Sequence, residues 1–129
     1  MSGKRCLLVD NSPVIRRVAA KIVQDLGFAP TEAANGQAAL AACAAAMPDV
    51  ILAEWDLIQI SGSQMTGPDL TQGVRRLPGG QAVKVVFCTT RNELADIQAA
   101  LAAGADEYIM KPFDSEIVAG KFLLLGLLG

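Results

Sequence analysis

The strongest constraint on this chain is an alternation: five short, mostly apolar runs, each followed by a stretch with helical character. The runs cover residues 6–9, 28–33, 50–53, 83–88 and 107–110. They are four to six residues long and do not alternate with polar positions, the pattern of strands buried on both faces. Pro30 weakens the second run, since proline cannot donate to a sheet ladder. After the first run, Ser12-Pro13 supplies an N-cap and a proline at the first helical position. Val14, Val18, Ile22 and Leu26 then recur every fourth residue, Ile15, Ala19 and Val23 widen that stripe, and Gly27 closes the helix. Asn35-Gly36 is a turn or cap before an alanine-rich helix over 37–47, which Pro48-Asp49 breaks. A short helix over 68–77 ends at Pro78-Gly79-Gly80. Asn92 is expected to cap a helix running to 103, and Asp114 or Ser115 to cap a last one reaching about 125. Residues 56–67, with Ser61-Gly62-Ser63 and Gly67-Pro68, have no period and read as a loop.

Five β–α units with right-handed crossovers build an α/β fold, a doubly wound five-stranded parallel sheet. The 129 residues suffice for one domain, taken as 1–129. Hydrophobic residues at 52% against 19% charged exclude a disordered chain. A net charge of −2 argues against DNA, which needs a basic face. The absence of histidine removes His-based acid–base catalysis, nucleophile pairs and His metal sites. Cys6, Cys43 and Cys88 are odd in number and lack CxxC spacing, so they read as free buried thiols of a cytoplasmic protein. The longest uncharged apolar run, 38–47, is about half a membrane span, so no span is expected. The apolar tail over 122–129 reads as a helix docking on the core, or as an apolar surface for a partner or a second copy.

In such folds the working site lies at the carboxyl ends of the strands. Those positions hold Asp10-Asn11, Glu54 to Asp56, Thr89-Thr90 and Lys111. Two carboxylates suit a hard cation such as Mg²⁺, while an ammonium and a hydroxyl suit a phosphoryl group or the cluster's own carboxylate. The first strand–helix turn, Asp10 to Pro13, has no glycine-rich phosphate cradle, which speaks against a flavodoxin-like redox enzyme.

The segments around these positions resemble a CheY-type receiver domain of two-component signalling. Leu7-Leu-Val-Asp10-Asn-Ser-Pro resembles its first strand and acidic turn, and Pro48-Asp-Val-Ile-Leu-Ala-Glu54-Trp55 the strand leading to its phosphoacceptor. Val85-Val-Phe-Cys-Thr89-Thr90 matches the strand ending in a hydroxyl residue. Glu107-Tyr108-Ile-Met-Lys111-Pro112-Phe113 matches the aromatic switch position and the Lys-Pro signature. The resemblance implies a flavodoxin-like (βα)5 fold and no enzyme of its own. It also implies a stand-alone response regulator in a phosphorelay such as chemotaxis. In that family an Asp after the third strand takes a phosphoryl group from a histidine kinase, with Mg²⁺ held by an acidic pair. The Lys and Thr contact the phosphoryl group, and the Tyr position turns inward.

This chain departs from the pattern. The second acid of the turn is Asn11, the acceptor position falls on Glu54, and the following loop is longer than usual. Asn11 removes one charge from the metal site, so Mg²⁺ is expected to bind weakly or not at all. The Glu54 carboxylate reaches roughly one carbon–carbon bond further than that of Asp. In-line phosphoryl transfer depends on positioning, and a displacement of about 1 Å can cost roughly 10²-fold. The expectation is a degenerate receiver, a pseudo-receiver in which Glu54 contacts Lys111. The metal ligands, if any, are Asp10, Glu54 and Asp56. A second reading moves the acceptor to Asp56, two residues on and on the same face if the strand continues. A third follows from CheY-like proteins that bind cyclic di-GMP through arginines, for which Arg16, Arg17, Arg75, Arg76 and Arg91 are available. Expected partners are a histidine kinase, a phosphotransfer protein or a flagellar motor switch protein, met through residues 92–125. Tyr108 reads as a rotating switch or as a half-buried edge aromatic, and Trp55 as a pocket neighbour or plain packing.

Overall fold

A computed structural model describes residues 4–55, 65–90 and 93–128. Five strands, β1 (Lys4–Val9), β2 (Phe28–Ala33), β3 (Val50–Ala53), β4 (Lys84–Thr89) and β5 (Glu107–Met110), pair in parallel in the order β2-β1-β3-β4-β5. Between and after them run α1 (Pro13–Asp25), α2 (Gly36–Ala45), α3 (Gly67–Arg75), α4 (Leu94–Ala102) and α5 (Ser115–Leu124). The fold expected from the sequence is the one found.

Two apolar layers explain why the apolar runs lack alternation. One face of the sheet, with Cys6, Leu8, Val50 and Val86, packs under Ala19 and Val23 of α1 and Val118 and Phe122 of α5. The other, with Leu7, Val9, Ile51 and Phe87, packs under Cys43 of α2, Leu70 and Val74 of α3 and Ala100 of α4. Successive strand residues thus serve opposite layers, each covered by helices. Phe28 and Phe122 meet edge to face at 5.0 Å, joining the β2 edge to α5. The three cysteines are free and buried, as the sequence suggested, and burial holds the Cys43 thiol near 11 and the Cys88 thiol near 12. Among the described residues no helix is long and apolar enough to cross a membrane.

Element boundaries differ from the expected ones for local reasons. β2 runs its full six residues across Pro30 because it pairs with β1 alone, so the missing N–H faces outward. α3 starts at Gly67 because Thr66 and Asp69 form a reciprocal capping box. The N-cap of α4 is Glu93, which makes no side-chain cap bond; Asn92, expected there, lies outside the described residues, as does most of the 56–67 loop. Asp114, not Ser115, caps α5 by accepting from the Ile117 N–H. The tail docks at Phe122 and Leu127 but leaves Leu123 and Leu124 exposed.

Candidate functional site

Three strand ends converge at the centre of the sheet's carboxyl edge. β1 and β3 are neighbours, so Asp10 and Glu54 follow adjacent strands, and the Glu54 N–H donates to the Val9 carbonyl at 2.9 Å. Lys111 follows β5, the edge strand two places away, and its long side chain bridges that gap. Its Nζ donates to Asp10 Oδ2 at 2.8 Å and to Glu54 Oε1 at 2.6 Å. The other two carboxylate oxygens are also held. Asp10 Oδ1 accepts from the Ser12 N–H at 2.9 Å, and Glu54 Oε2 accepts from the Trp55 N–H at 2.5 Å. All three charged side chains are largely buried, at 15% exposure or less. Burial works to lower the Lys111 pKa, but its hydrogen bonds and charge attraction to Asp10 and Glu54 outweigh that, and the net shift is upward from 10.5. The ammonium therefore stays charged, and two acids share one internal cation.

Other expected site residues are placed as follows. Thr89 is fully buried at the end of β4, and its carbonyl accepts the Lys111 N–H at 2.9 Å, so it fixes the backbone from which the lysine departs. Asn11 is exposed beside Asp10. Tyr108 is on the edge strand β5, as one reading had it, but at 9% exposure it is buried rather than half-buried, in the layer under α2, α3 and α4 and opposite Phe87 in the β4–β5 register. The Trp55 ring packs edge to face on Phe87 at 5.6 Å while its backbone N–H holds Glu54, so it is both packing and pocket neighbour. Asp56 lies outside the described residues, and with it the displaced-acceptor reading and the third candidate ligand. Among the described residues no group of three or more acids or cysteines is clustered as a metal site.

Two residues that matter were not singled out for their actual roles. Arg16 donates from Nη1 to the Asp10 carbonyl at 2.5 Å and from Nε to Glu32 at 3.0 Å, clamping the acidic turn to α1 and β2. At the opposite end of the sheet, Arg75 donates to the carbonyls of Gly80, Val83 and Gly104 and to Asp106 Oδ2, which also accepts the Val85 N–H. Both guanidiniums serve the fold. Arg17 sits on α1 and Arg76 follows α3 as its C-cap, in opposite layers, and Arg91 lies outside the described residues, so no arginine cluster for a cyclic dinucleotide is assembled among the described residues.

A family model for the response regulator receiver domain matches residues 6–121. The chain belongs to that family. It is therefore a receiver, a signalling module of two-component systems rather than a conventional enzyme. Chemotaxis protein CheY of Pseudomonas aeruginosa is 30% identical over 118 residues, covering 91% of each chain. The phosphate regulon transcriptional regulatory protein PhoB of Escherichia coli is 33% identical over 118 residues. This chain spans about half of that relative's length, 49%. Among solved structures, chemotaxis protein CheY4 of Vibrio cholerae superposes with a TM-score of 0.86 at 28% identity, covering 98% of this chain and all of that one. The receiver domain of a Pseudomonas aeruginosa sensor histidine kinase, which has a magnesium ion coordinated in its active site cleft, superposes at 0.83 with 25% identity, covering 95% and 97%.

Proposed function

We propose that this receiver is degenerate: it does not run the ordinary phosphorylation cycle and signals by protein contact, with Glu54 held where a phosphorylated acceptor would act. The observation that carries this reading is the Lys111 ammonium seated between Asp10 and Glu54, with every oxygen of both carboxylates already hydrogen-bonded. Phosphoryl transfer depends on an attacking oxygen positioned in line with the donor phosphorus. Glu54 presents one oxygen to an ammonium and the other to a backbone N–H, both bonds that lower its nucleophilicity. The extra methylene lets Glu54 make unaided the contact that a phosphoryl group would otherwise make with Lys111. It does so with one charge rather than nearly two.

Receiver domains typically bind Mg²⁺. The chemistry of the donor set fits a weak, water-rich site, since Mg²⁺ is commonly held by one or two carboxylates. Asp10 and Glu54 would hold it, each giving up part of its bond to Lys111, and neutral Asn11 adds no charge. Bound there, the cation would supply charge neutralisation for phosphoryl transfer.

The partner surface is residues 92–125, in the cytoplasm, where a histidine kinase, phosphotransfer protein or flagellar motor switch protein would meet it. Large apolar side chains exposed on that stretch, Leu94, Leu101, Met110, Ile117 and Leu124, support the assignment. The functional test is incubation with a small acyl-phosphate donor and Mg²⁺, read by intact mass. The expected result is no phosphoryl adduct; an adduct at Glu54, or one abolished by Asp56→Ala, contradicts the reading.

A further inference from the structure

We propose that Arg16 sets the divalent-cation affinity of the site: its guanidinium, held against the acidic turn, supplies positive charge that Mg²⁺ would otherwise bring. The proposal rests on the reading that Asp10 and Glu54 would hold the cation, and it goes beyond the clamp that Arg16 makes on the fold.

Arg16 belongs to α1, but its side chain is only 16% exposed. Nη1 ends 2.5 Å from the Asp10 carbonyl oxygen, and the side chain lines the same small cavity as Asp10 and Glu54. Glu32 fixes its seat by accepting from Nε at 3.0 Å. Glu32 lies opposite Leu8 in the β1–β2 register, two residues short of Asp10, and its side chain is 44% exposed. The two members of this ion pair are therefore unequal neighbours of the site. The cation meets Asp10 from a largely buried position, whereas the anion stands behind it in partial contact with water, which screens its charge.

Lys111 already bonds both acids. Arg16 adds a second internal cation beside Asp10, so a divalent ion bound at Asp10 and Glu54 would face both. Lys111 can swing aside on its flexible stem. Arg16 is anchored on two sides, by Asp10 and by Glu32, and its guanidinium does not lose its proton, so its repulsion stays. Coulomb energy falls only with the inverse of distance and doubles for a divalent ion. One internal cation beside the site is thus worth about five- to tenfold in affinity even under strong screening.

Calorimetric titration of the whole chain with Mg²⁺, and competition with Mn²⁺ followed by the spin-resonance signal of the free ion, read binding without any activity. Arg16→Met is expected to tighten Mg²⁺ by about five- to tenfold, and Arg16→Lys, which keeps the charge, to stay within about twofold of the wild type. Glu32→Gln leaves the guanidinium uncompensated and is expected to weaken binding. Lys21→Met removes an exposed charge from the same helix and is expected to change nothing. Breaking a mere tether from either side would shift affinity in one direction, so opposite shifts in Arg16→Met and Glu32→Gln identify charge as the cause. Circular dichroism checks each fold, and should Arg16→Met fail to fold, Glu32→Gln decides. Binding that is unchanged, weaker or undetectable in Arg16→Met, or tighter in Glu32→Gln, overturns the proposal. Asp10→Asn tests the reading beneath it and is expected to abolish binding. Mg²⁺ bound equally well by Asp10→Asn would place the ion elsewhere and overturn that reading. Binding lost in Asp10→Asn but unmoved in Arg16→Met would overturn the role of Arg16 alone.

Discussion

At Lys111 two opposing influences act on one proton: burial favours the neutral amine, and the two carboxylates favour the ammonium and prevail. The sign sets a pH dependence. A group whose pKa is higher in the folded chain stabilises it fully below the unfolded value, and that contribution disappears as pH rises through the folded one. The urea midpoint of the wild type should therefore drop as pH climbs past 10.5, and its advantage over Lys111→Met should shrink in the same range. A second prediction concerns charge and reach together. Glu54→Asp combined with Asn11→Asp withdraws the carboxylate by roughly one bond length and restores the missing acid. That double variant is expected to gain a phosphoryl adduct by intact mass under conditions where the wild type shows none. Asp10, Glu54 and Lys111 were legible in the sequence because each directly follows a strand that the apolar pattern locates. Arg16 was not. Its target is the Asp10 carbonyl, and no residue type announces a backbone acceptor, so an arginine on a helix reads as solvated. The Arg75 clamp on three carbonyls was invisible for the same reason.

At the scale of elements, two glycines separate a structural need from a local weakness. A side chain on Gly80 would collide with the Val74 carbonyl oxygen, where the chain turns back beneath α3 toward β4. Backbone there cannot yield cheaply, so Gly80→Ala should lower the unfolding free energy by about 2 kcal/mol or more. Gly120 lies within α5, and a methyl group on it would meet open space. Gly120→Ala should stabilise the chain by about 0.5–1 kcal/mol through the lost backbone freedom of the unfolded state. Thermal and urea unfolding of both variants measure the contrast. Most element types could be read because strand runs and helix stripes have different periods. Boundaries were harder, since they rest on caps. The Thr66–Asp69 box starts α3 one residue earlier than expected, at Gly67. β2 survives Pro30 only because it is an edge, a fact of topology that its own six residues do not contain.

At the scale of the whole molecule, the site is a long-range assembly. Lys111 reaches Glu54 across 57 residues of sequence and Asp10 across 101, so the bridge forms only when β1, β3 and β5 are all in place. The order β2-β1-β3-β4-β5 puts the two acids side by side and leaves the lysine to span β4. Removing Lys111 leaves two buried carboxylates without their shared cation, a loss of about 3–5 kcal/mol. That cooperativity makes the bridge measurable without any activity. The central claim is that Glu54 and Lys111 touch in the resting protein. Urea unfolding of Glu54→Gln, Lys111→Met and the double variant at neutral pH tests it. The account requires strong coupling: Lys111→Met costs less in the Glu54→Gln background than in the wild type, by about 1.5 kcal/mol or more. Losses that simply add would mean the two side chains do not meet in solution, and would contradict it.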